Sequence, residues 1–74
     1  MLYVFDMTLG KRIARARKRL RMTQRELGRF LGVSYQAVSQ WECDKTVPDT
    51  RKVDELAHVL RVTTDALLSG RDAA

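Results

Sequence analysis

The sequence has one cysteine, Cys43, so no disulfide can close within it. It has one histidine, His58, which leaves too few soft ligands for a His/Cys metal cage. No apolar run approaches the ~18 residues that a membrane span requires. The apolar start over 1–5 is too short for the hydrophobic region of a signal peptide, and no basic residue precedes it. Internal repeats, low-complexity tracts and linkers are missing. So are a nucleophile–base pair, a carboxylate pair and a glycine-rich phosphate loop, which disfavours an enzyme and calls for no cofactor or metal. Aromatic residues are 7% of the chain and form no stacking platform of the kind that holds single-stranded RNA. What is left, at 74 residues and 45% hydrophobic, is one small domain with a core, expected to be soluble and cytoplasmic.

Acidic residues are also few, 9 against 14 Lys and Arg, for a net charge of +5. The excess is local. Residues 11–29 hold Lys11, Arg12, Arg15, Arg17, Lys18, Arg19, Arg21, Arg25 and Arg29 with Glu26 as the sole acid, a charge of +8 that leaves −3 elsewhere. A basic half beside a mildly acidic half fits a polyanion bound on one side. Arginine outnumbers lysine ten to four, and its planar fork matches phosphate oxygens well.

One proline and four glycines leave room for mostly helical periodicity. Leu9, Ile13, Ala16 and Leu20 make one apolar stripe on a first helix over 9–21. Thr23-Gln24-Arg25-Glu26 is a capping box, in which hydroxyl and carboxylate each satisfy the other residue's amide. It opens a second helix with Leu27, Phe30 and Leu31 inward. Gly32 can end that helix in the left-handed conformation, Val33 is a buried link, and Ser34 caps a third helix over 35–43 with Ala37, Val38 and Trp41 inward. After a loop closed by Pro48, Asp49 caps a fourth helix with Val53, Leu56, Ala57 and Leu60 on its stripe. Thr63 caps a last helix carrying Leu67 and Leu68, ended by Gly70. The expected fold class is therefore all-α, a compact five-helix domain.

The informative stretch is 23–42: a short helix, a tight turn at Gly32-Val33-Ser34, and a second short helix, the proportions of a helix-turn-helix. On the second helix Tyr35, Gln36, Ser39 and Gln40 recur at i, i+1, i+4 and i+5 and share one side. None is charged and all can hydrogen-bond. A solvated helix face ordinarily carries Lys and Glu, whereas a neutral hydrogen-bonding face suits base edges, Gln pairing with adenine N6 and N7. Trp41 reads as core, His58 as solvated, and Cys43 as an incidental thiol more readily than a redox sensor.

The stretches Leu9-Gly10-Lys11-Arg12-Ile13, Thr23-Gln24-Arg25-Glu26-Leu27, Gly32-Val33-Ser34, Val38-Ser39-Gln40-Trp41-Glu42, and Leu56-Ala57 through Leu60 and Val62 to Leu67-Leu68 together resemble the Cro and lambda-repressor type of helix-turn-helix family. The resemblance covers about 8–70 and is nearest to the amino-terminal domains of temperate-phage repressors. It implies a homodimer on a pseudo-palindromic double-stranded DNA operator, the third helix entering the major groove and half-sites ~34 Å apart. It places Tyr35, Gln36, Ser39 and Gln40 at base-reading positions. Thr23, Gln24, Arg25, Lys45 and Thr46 fall at positions facing the DNA backbone. Arg17, at the edge of the first stripe, needs a partner for its charge; the resemblance pairs it with Glu42 and leaves it within reach of phosphate. The chain departs from the pattern at Gly28, where Ala is usual, and at Cys43-Asp44 and Arg61, where glycine is common and a non-glycine residue must take a left-handed turn.

These readings divide the chain into an extension over 1–7 (arm, strand or disordered), a helix-turn-helix domain over 8–70, and a tail over 71–74. The expected function is sequence-specific DNA binding by a transcriptional regulator of repressor type in a bacterial cell or phage-infected host. The alternative is an antitoxin-like protein-interaction module with secondary DNA binding. Candidate dimer contacts are Leu67 and Leu68, with the Leu2-Tyr3-Val4-Phe5 segment as the other choice.

Overall fold

The computed structural model describes residues 7–70. The expected extension, except Met7, the Leu2-Tyr3-Val4-Phe5 segment and the tail all lie outside the described residues. Five helices follow in order: α1 (Leu9–Arg19), α2 (Gln24–Leu31), α3 (Tyr35–Glu42), α4 (Thr50–Leu60) and α5 (Thr64–Ser69).

Each helix begins in the same way. The side chains of Thr8, Thr23, Ser34, Asp49 and Thr63 accept from the amides of Lys11, Glu26, Ala37, Lys52 and Ala66, respectively. Each cap satisfies one donor that the first helical turn leaves open. The ends also share a device, a left-handed residue just beyond the helix: Arg21, Gly32, Asp44, Arg61 and Gly70, with φ between 59° and 77°. The turn at Arg21 stops α1 two residues before the expected end at 21. There the Arg21 and Met22 amides donate back to Lys18 and Arg17 carbonyls at 2.9 and 3.1 Å. Asp44 and Arg61 take the left-handed turns expected of them.

Ile13, Leu27, Val38, Leu56, Leu60 and Leu67 are fully buried, and Ala16, Leu31, Trp41, Val53 and Ala57 complete the core. Ala37 is only half-buried. Phe30, expected inward, is instead 69% exposed. The buried arc of α2 is Leu27, Leu31 and Gly28; at ~100° per residue, Phe30 lies about 110° from the middle of that arc.

Two glycines set how closely the helices approach. A Cβ at Gly28 would lie 2.7 Å from the Val33 carbonyl oxygen, so the family's usual alanine would press on the turn between α2 and α3. A Cβ at Gly10 would collide with the Trp41 carbonyl, where the start of α1 meets the end of α3. Asp44 seals that junction. Its carboxylate accepts from the Thr8 hydroxyl at 2.6 Å and from the Gly10 amide at 3.0 Å, which also places negative charge at the positive end of α1.

Candidate nucleic-acid interface

The turn joining α2 to α3 is short and held by backbone hydrogen bonds. Gly32 turns left-handed, the Val33 amide donates to the Gly28 carbonyl at 2.9 Å, and the Ser34 hydroxyl caps α3. Val38 and Trp41 anchor the inner side of α3 in the core. That anchoring turns Tyr35, Gln36 and Gln40 outward as exposed residues, with Ser39 half-buried beside them. Their side chains make no hydrogen bond to the described residues. The outer face of α3 is therefore rigid in its backbone, uncharged, and open to hydrogen bonding.

A polar cluster holds α3 against α1 and α2. Arg17, 8% exposed, donates to Glu42 from Nε at 2.6 Å and from its terminal nitrogen at 2.9 Å. Its other terminal nitrogen reaches the Met22 carbonyl at 2.8 Å. Gln24 Nε2 donates to the same Glu42 carboxylate at 3.0 Å. The expected Arg17–Glu42 pair is thus present with a third member, and the Gln24 side chain is committed to it. What α2 offers outward at its start is the amides of Gln24 and Arg25, which the capping box leaves open. Thr23 is held within that box, its amide 2.8 Å from Glu26 Oε1.

The basic segment divides between structural and free charges. Arg12 is half-buried, and its guanidinium donates to the carbonyls of Leu67 at 2.5 Å, Leu68 at 2.9 Å and Met7. It ties α5 to α1 and is spent there. Lys11, Arg15, Lys18, Arg19, Arg21, Arg25 and Arg29 remain exposed. Lys45 and Thr46 are exposed in the loop after α3, and their amides are taken by the Gln40 carbonyl, leaving their side chains outward. Leu67 belongs to the core at 2% exposure and offers no surface, whereas Leu68 is 56% exposed.

Three features were not legible in the sequence. The Arg12 clamp has backbone carbonyls as partners, which carry no sequence signal. Lys52 donates from Nζ to the Leu31 carbonyl at 2.8 Å and so caps the end of α2 from α4. The Arg25 guanidinium lies over the Tyr35 ring, 4.5 Å from its centroid. The Thr8 cap of α1 was also missed, although it had a readable sign, a threonine directly ahead of an apolar stripe.

A family described as helix-turn-helix matches residues 13–67. The P22 c2 repressor protein, solved in complex with synthetic operator 9T, superposes with a TM-score of 0.84 and 38% identity over 88% of this chain and 98% of that one. The chain belongs to the Cro and lambda-repressor type of helix-turn-helix family. Within it, Repressor protein C2 of Salmonella phage P22 is 40% identical over 62 residues, 84% of this chain and 29% of that protein. The HTH-type transcriptional regulator DicA of Escherichia coli (strain K12) is 37% identical over 65 residues, 88% of this chain and 48% of that protein. The chain thus spans less than half the length of these two relatives. The superposition gives the chain and the solved P22 repressor a common lambda-repressor-like fold, all-α among the described residues.

Proposed function

We propose that the chain is a sequence-specific double-stranded DNA-binding transcriptional regulator of repressor type, acting in the cytoplasm as a homodimer on a pseudo-palindromic operator. The observation that carries this is the pairing of two surfaces on one motif. The outer face of α3 is neutral and unbonded, and the exposed Arg25 and Arg29 of α2 lie beside its Tyr35 and Gln36. Arginines attract and position the phosphate backbone, and the uncharged side chains choose the sequence. Similarity to a repressor solved on its operator supports the same reading.

Sequencing of duplexes selected by the protein from a random pool, with sedimentation on the best site, tests it. The expected result is a symmetric motif bound by two protomers; selection of no motif overturns the reading. On the selected site, Gln36→Ala should cost ~1–3 kcal/mol and relax one base preference. Equal weakening on selected and random duplexes would remove Gln36 from base readout.

A further inference from the structure

Arg25 and Tyr35 join the two helices of the motif at its exposed face. Arg25 is the second residue of α2 and Tyr35 the first of α3. The guanidinium carbon lies 4.5 Å from the ring centroid, inside the ~6 Å over which a cation is drawn to an aromatic face. The neighbouring carboxylates do not compete for it. Glu26 turns back to the Thr23 amide, and Glu42 is filled by Arg17 and Gln24. Arg29, one turn further along α2, repels Arg25. Tyr35 is 39% exposed, and its hydroxyl makes no hydrogen bond to the described residues. The stacked guanidinium is thus a directional contact on a ring whose hydroxyl is unbonded to the described residues.

We propose that Arg25 is a positioning residue: it sets the Tyr35 ring against the base edges, so that a base preference read by α3 depends on a side chain of α2. The planar guanidinium stacks through its face and keeps its N–H edge free for a phosphate oxygen. One residue can then couple backbone contact to base choice. This inference rests on the DNA-binding reading above.

The test measures affinity for the selected duplex and for its single-base variants, using the full chain. The proteins are the unmodified chain, Arg25→Ala, Tyr35→Phe, Tyr35→Ala and the Arg25→Ala/Tyr35→Ala double variant. Arg25→Ala should reduce discrimination about two- to fivefold at the base pairs that Tyr35→Ala also relaxes. It should have no further effect on preference in the double variant. Tyr35→Phe, which keeps the ring, should preserve the dependence on Arg25. The inference is overturned if Arg25→Ala weakens every duplex by one common factor, which would leave Arg25 a backbone contact only. It is equally overturned if the change in preference persists without Tyr35, or if Tyr35→Ala relaxes nothing. An unmodified chain that shows no preference among duplexes overturns the DNA reading and this inference together, so the two failures are distinguishable.

Discussion

Glu42 carries more of this molecule than one side chain usually does. Its carboxylate accepts from Arg17 on α1 twice and from Gln24 on α2, while its own backbone ends α3. Desolvating such a pair is costly, and the hydrogen bonds offset that cost only while all members are present. Removing one member strands a buried cation, with Arg17 at 8% exposure. Glu42→Ala is therefore expected to lower unfolding stability by about 3 kcal/mol, read from urea denaturation. A loss under ~1 kcal/mol would place the pair among weak surface salt bridges. The sequence showed that an arginine at the edge of an apolar stripe demands a partner, and the family resemblance named Glu42 as that partner. The Gln24 contact was not legible, because a glutamine at a helix start has water as an equally good partner.

At the scale of elements, the ends of the helices decide the fold as much as their stripes do. Gly28 in α2 costs ~1 kcal/mol of helix propensity relative to alanine. By propensity alone, Gly28→Ala should stabilise. The Val33 carbonyl, 2.7 Å from the new Cβ, and the Ser34 carbonyl, 3.3 Å away, reverse that expectation. Backbone atoms in a bonded turn cannot swing aside, so a net loss of about 1–2 kcal/mol is expected in thermal unfolding. The left-handed residues after α3 and α4 separate in the same way. Both Asp44 and Arg61 sit at φ 61°, but Asp44 anchors Thr8 and Gly10 whereas the Arg61 side chain is exposed. Arg61→Gly should raise stability by roughly 0.5–1 kcal/mol as strain is relieved, and Asp44→Gly should lower it as two hydrogen bonds vanish. The same sign for both variants in thermal unfolding would contradict this assignment.

For the whole molecule, the question is which surfaces are left over once the core has formed. Leu67 and Leu68 are adjacent on α5, yet one is buried and the other lies 56% exposed. A helix six residues long with one buried leucine turns its neighbour to solvent. The proposed homodimer can therefore use Leu68 and not Leu67. Leu68→Glu should leave the melting temperature nearly unchanged and weaken pairing of two protomers on the selected duplex about tenfold or more. Unchanged sedimentation on that duplex would exclude α5 as the interface.

The five-helix order, the caps at Thr23, Ser34, Asp49 and Thr63, the turn at Gly32 and the uncharged face of α3 were all determined by the sequence alone. Each depends on residues within about one helical turn of one another, where side-chain type dictates geometry. Only the tertiary structure decided that Phe30 faces out, that Gly10 is a point of close approach, that Arg12 is spent on carbonyls of α5, and that Arg25 stacks on Tyr35. The physical reason is common to them all. Their partners are distant in sequence, belong to a neighbouring element, or are backbone atoms that every residue carries, so no local pattern announces them. The net charge of +5 was legible at once; which of its arginines remain free to meet a phosphate was settled by packing.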